Sequence, residues 1–152
     1  MKMERKRNNF SLAIFGGLLT SIIGGAVWAL IVILTEYEIG FVAWAIGGLA
    51  GYSVFYLAKG NVTSAHKVIA VVGSLIGILL GKYFIVGYYY SNSFSGIFKS
   101  EVFILFQDNI SVLFSGMDII FVLLAVITAW QLPDKLSNKA TSTDQSAESA
   151  AE

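Results

Sequence analysis

Apolar positions in this chain come in long runs rather than in short stretches that alternate with polar ones. The runs cover residues 10–35, 39–58, 68–86 and 113–132. Each is about 20 residues or longer, enough at about 1.5 Å per residue to cross a hydrocarbon core of roughly 30 Å. In lipid a spanning segment has to satisfy its own backbone N–H and C=O groups, so each run is read as an α-helix. The pattern predicts an all-α, polytopic membrane protein with four transmembrane helices.

The stretch 97–110 is apolar too, but Lys99, Glu101, Gln107, Asp108 and Asn109 interrupt it too densely for lipid. On a helical wheel Phe98, Val102, Phe103, Leu105, Phe106 and Ile110 share one arc, and Ser100, Glu101, Gln107, Asp108 and Ser111 fall opposite. Ile97, Ile104 and Asn109 lie outside that division. The arrangement predicts an interfacial amphipathic helix just before the fourth span.

Lysine and arginine near span ends are retained on the cytoplasmic side. Lys2, Arg5, Lys6 and Arg7 precede the first span, Lys59 and Lys67 lie between the second and third, and Lys135 and Lys139 follow the fourth; the other side has Lys99. Both termini are therefore expected in the cytoplasm, with residues 1–9 a basic N-terminus and 10–132 the membrane domain. The turn Glu36-Tyr37-Glu38 and residues 88–112 would face outward. Tyr37 and Tyr88-Tyr89-Tyr90 would mark the outer interface, and Tyr56 and Trp130 the inner one. The basic start and a small-residue site after Ala29 also fit a signal peptide, but the run continues through Leu34, longer than such a segment needs, so a retained anchor is the better reading. Pro133 is expected to end the fourth helix, and residues 133–152, small, polar and acidic, to be a disordered tail.

Composition sharpens this. The chain is 56% hydrophobic and 13% charged, against about 25% charged in soluble domains. Ten basic residues balance ten acidic ones, which gives no footprint for nucleic acid. Without cysteine there is no disulfide, thiolate metal site or thiol nucleophile. Phosphate-binding loops, HExxH and nucleophile elbows are also missing, so no catalysis, cofactor or metal is expected. The lone His66, beside Lys67, reads as an interfacial residue.

Small residues recur every four positions: Gly17, Ser21 and Gly25 beside Gly16, Thr20 and Gly24; Ala43, Gly47 and Gly51; Gly73, Gly77 and Gly81; and Ala125 with Ala129. Such stripes let helix backbones approach where lipid gives no hydrophobic drive. They are expected to meet in a compact bundle or across an oligomer interface. At an offset of 56 the first and third spans match Gly17 to Gly73, Ser21 to Gly77, Gly25 to Gly81 and Trp28 to Phe84. That is either a parallel duplication or shared packing composition.

Two ionisable groups lie within spans, at a cost of about 2.5 to 3.5 kcal/mol each at mid-membrane. Lys82 is roughly 21 Å along the third span and Asp118 at about the same height on the fourth, so antiparallel neighbours would bring them together. Three readings stand: a structural ion pair, a charge relay, or a lysine that snorkels to the surface. Glu36 and Glu38, one residue apart in the short outer turn, would attract cations or cap the second helix.

From Glu38 to Gly51 the chain reads E-I-G-F-V-A-W-A-I-G-G-L-A-G. This resembles a loose group of small uncharacterised bacterial membrane proteins that share E-x-G-x-x-A-W-x-I-G-x-x-x-G at the entry to a span, with a fainter echo around Asp118, Ala125 and Ala129. The resemblance implies a multi-pass protein of the bacterial cytoplasmic membrane and brings no activity with it. The expected function is an accessory, scaffold or envelope-regulatory component that self-associates or meets a membrane-protein partner through its glycine faces. The alternative is a small channel or transporter subunit conducting protons or cations.

Overall fold

A computed structural model describes residues 2–149. The elements are α1 (Lys2–Thr35), α2 (Phe41–Leu57), α3 (Ser64–Ser91), a 3-10 turn (Phe94–Phe98), α4 (Ser100–Asp108), α5 (Ile110–Leu113) and α6 (Gly116–Ser149). The described residues are mostly helical, with short irregular connections and no strand. Three helical stretches are long and apolar enough to cross a membrane, Phe10–Thr35, Ser64–Ser91 and Gly116–Thr143, each with an 18-residue segment of mean hydropathy 2.3, 2.2 and 1.7 respectively. The shorter α2, Phe41–Leu57, is also apolar, at 17 residues.

Four helices pack in the cyclic order α1, α3, α6, α2, with α2 and α3 also in contact across the middle. The most extensive contacts join parallel partners, α1 with α3 and α2 with α6, and the small residues explain both. A Cβ on Gly73 would lie 3.2 Å from Gly17 O, one on Gly77 3.2 Å from Ser21 Cα, and one on Gly81 3.4 Å from Gly25 Cα. The pairs that align at an offset of 56 are thus the pairs that touch. Two parallel helices in register need complementary ladders at matching heights, and this accounts for the internal similarity through packing. Ser21 Oγ ties the ladder together, within 2.6 Å of Gly17 O and 2.5 Å of Gly73 O. On the other pair a Cβ on Gly47 would lie 2.6 Å from Ala125 Cα, and one on Gly51 3.4 Å from Ala129 Cα. Within the chain, these glycine stripes pack in the interior of the bundle.

Trp28, Ala29, Val32, Ala43, Ile46, Ile78, Ile85 and Ala125 form the main buried cluster. Ile46 fills its centre, where Cβ atoms on Gly24 and Gly77 would approach its side chain to 3.3 and 2.9 Å. Large apolar residues on the outer faces of α1, α3 and α6, among them Phe15, Leu18, Ile23, Val72 and Ile120, are exposed, which is compatible with a membrane protein.

The structure departs from the sequence reading in three places. The fourth long helix begins at Gly116, three residues later than expected. It also continues through Pro133 to Ser149, where a break and a disordered tail are expected. Proline leaves the carbonyl four residues back without its helical donor, but the Pro133 ring is fully buried and the turns beyond it are anchored. Lys67 Nζ bonds Asp134 at 2.7 Å and Ser137 Oγ donates to Gly60 O at 2.7 Å. Further along, Thr141, Thr143 and Ser146 hydroxyls bond carbonyls one turn back. Third, α4 does not present its whole apolar arc to one environment. Val102 and Phe106 are buried against the bundle, Phe106 edge-on to Tyr83 at 5.5 Å, while Phe98, Phe103, Leu105 and Ile110 are exposed. The 3-10 turn is held to α3 by Tyr83 OH donating to Ile97 O (2.7 Å) and by close backbone contact between Gly87 and Gly96.

Candidate functional site

The centre of interest is Lys82, 3% exposed, near the end of α3 remote from the basic termini. Gly81 makes room beside it: a Cβ there would lie 2.6 Å from Trp28 Cε3, so the indole can wall the lysine. The Lys82 ammonium sits 5.8 Å from the Trp28 ring centre and 5.3 Å from that of Phe114, close enough for cation–π attraction. Its three protons have three acceptors. Lys82 Nζ donates to Leu113 O at 2.8 Å and to Asp118 Oδ2 at 3.1 Å, and pairs with Glu38 Oε1.

Asp118 is positioned by a capping box. Ser115 is the residue before the first turn of α6; its N–H donates to Asp118 Oδ2 (2.8 Å), as does its hydroxyl (2.9 Å), while Asp118 N–H lies 3.3 Å from Ser115 Oγ. This is the S-x-x-[DE] device that satisfies orphan amides at a helix start. Three donors therefore converge on one carboxylate oxygen, and the side chain is 13% exposed. The motif Ser115-Gly116-Met117-Asp118 was available in the sequence, but a span drawn from residue 113 places Asp118 in mid-helix and hides it.

Glu38 arrives from the α1–α2 connection. Gly40, two residues on, abuts Phe121 of α6, where a Cβ would come within 2.8 Å of the ring. That close approach sets the start of α2 beside the start of α6 and Glu38 beside Asp118. Sequence reasoning pairs Lys82 with Asp118 alone and groups Glu38 with Glu36. The structure separates these two acids: Glu38 joins Lys82, whereas Glu36 is exposed and ends α1 in the left-handed region at φ 59. A cavity of about 350 Å3 adjoins the cluster, lined in part by Glu38, Leu113, Ser115, Asp118 and Phe121.

Chemically, the lysine is saturated with acceptors and is neither a free base nor a free nucleophile. One lysine faces two acidic side chains, and the more exposed of them, Glu38 at 40%, borders the cavity. At the basic end, His66 is buried against Phe10, edge-on at 5.8 Å, and its Nδ1 accepts the Thr63 N–H at 3.2 Å. It caps α3. Among the described residues no three His, Asp or Glu side chains gather as metal ligands would. No family model, curated protein or solved structure matches the chain.

Proposed function

We propose that this is a four-span protein of a bacterial cytoplasmic membrane, both termini inside, that works as an accessory or scaffold component. Its ion cluster fixes the outer ends of three helices. The short α2 counts as the fourth crossing: 17 residues reach about 26 Å, and α2 runs in register with α6 along its length. The amphipathic α4 lies at the outer interface, its exposed aromatic and aliphatic side chains in the headgroup region.

The observation that carries this reading is the closure of the bundle beneath Lys82. Backbones meet along both parallel pairs, and Ile46 sits between Gly24 and Gly77 at the centre, which supports a packed interior rather than an open path among the described residues. A conducting subunit, the second reading, draws on one feature, the exposed Glu38 beside the cavity. Proton and monovalent-cation flux into liposomes distinguishes them, measured for the wild type beside a folded Lys82→Met/Asp118→Asn variant. Flux indistinguishable from empty liposomes is expected. Wild-type flux that the double variant loses would replace the scaffold reading with the conducting one.

A further inference from the structure

At the basic end a groove of about 480 Å3 lies between the start of α1, the end of α2 and the extension of α6. Leu12, Phe55, Leu57 and Ala140 give it apolar walls; Tyr56 and Lys59, both exposed, border it, and among the described residues Lys59 is the one charged side chain in its lining. We infer that this groove takes an acyl chain of an anionic phospholipid from the surrounding bilayer, with Lys59 on the lipid phosphate.

Charge supports that occupant. Lys59 makes no ion pair among the described residues, and Asp134 is held by Lys67 at 2.7 Å. Lys135 and Lys139 are exposed on the stretch of α6 that leads to Ala140, and Lys2, Arg5, Lys6 and Arg7 precede Leu12 in sequence. A basic cluster against an apolar groove suits a lipid that has both a phosphate and an acyl chain.

The backbone at Lys59 makes a glycine substitution there structurally benign. Helix α2 ends in a Schellman turn: Lys59 N–H donates to Tyr56 O (3.1 Å) and Gly60 N–H to Phe55 O (3.3 Å). The position after the cap must be left-handed and is usually glycine, but here it is lysine at φ 52. Lys59 holds this position at a backbone cost that glycine would avoid, as Glu36 does at the end of α1. Depth agrees as well, since Leu12 lies two residues inside the apolar stretch that starts at Phe10, where headgroups give way to acyl chains.

The inference rests on the membrane reading, and one experiment separates their failures. Full-length protein in non-ionic detergent is melted with added phosphatidylglycerol or phosphatidylcholine of identical chains, and bound lipids are counted by native mass spectrometry. Phosphatidylglycerol should raise the midpoint by about 5 °C more than phosphatidylcholine. In Lys59→Gly that difference should fall to below about 2 °C, while the lipid-free midpoint stays equal or rises because glycine suits the left-handed position. Ala140→Trp, which fills the groove, should reduce bound copies of both lipids. Equal stabilisation by the two lipids, or a full difference retained in Lys59→Gly, overturns the groove site. Loss of the difference only in Lys135→Gln/Lys139→Gln would overturn it too, in favour of a diffuse basic surface. Protein that stays soluble without detergent overturns the membrane reading itself.

Discussion

Two lysines on α3 reach across to aspartates on the antiparallel α6, Lys67 to Asp134 and Lys82 to Asp118. Fifteen residues separate the lysines and sixteen the aspartates, so the two rungs stand about 23 Å apart along one helix interface. They are built from the same pair of groups, and each lysine lies against aromatic rings: Lys67 is 4.8 Å from the Trp130 ring centre, and Lys82 lies near Trp28 and Phe114. What differs is access to water. At the basic end the side chains are 16% and 47% exposed and one carboxylate suffices. At the other end the lysine is 3% exposed and has gathered two carboxylates and a backbone carbonyl. An ion pair at a surface has solvent as its alternative partner and contributes little. A buried ammonium has none, so every proton requires an acceptor and the loss of any member is felt by the rest.

Breaking the buried rung should have the largest consequence. Lys82→Met leaves Asp118 and Glu38 facing each other with no counter-charge and should lower stability by about 3 kcal/mol or more, read from denaturant or thermal unfolding in detergent. Adding Asp118→Asn and Glu38→Gln should restore part of the loss, because the damage lies in the unpaired charges. A loss below about 1 kcal/mol for the single variant would mean that water reaches the cluster.

A smaller effect sharpens the same site. Ser115→Ala removes a cap and one donor to Asp118 while leaving Lys82 in place, so a loss of about 1 kcal/mol is expected. An effect as large as that of Lys82→Met would make the capping box, rather than the charge pairing, the organising element. The smallest change is expected at the basic end. Asp134→Asn should cost about 0 to 1 kcal/mol, and the cost should shrink as salt is raised from 50 mM to 500 mM. If it matched Lys82→Met and ignored salt, the contrast between the two rungs would be gone.

Much of this was legible from residue order. Helical rise alone put Lys82 and Asp118 at one height, and small residues every four positions marked the faces that pack. Three things were not. Glu38 stood beside Glu36, and nothing local says that Gly40 will admit Phe121 and bring the turn to α6. The start of α6 was obscured because residues 113–115 are as apolar or small as the helix that follows. Pro133 and the polar tail carried every local sign of an ending, and contacts from other segments, Lys67 and Gly60, hold the helix onward.

By itself the sequence determined the class of structure, since long apolar runs in a chain with few charges have to be helices that satisfy their own backbones. It also determined which faces pack and that all but two of the charged residues lie outside the apolar runs. Tertiary structure decided the partners. Two parallel pairs with ladders in register closed the interior, and that closure removed water from Lys82. An ammonium without water draws in whichever carboxylates the fold delivers, so the second acid was selected by packing at Gly40 and not by its neighbours in the chain.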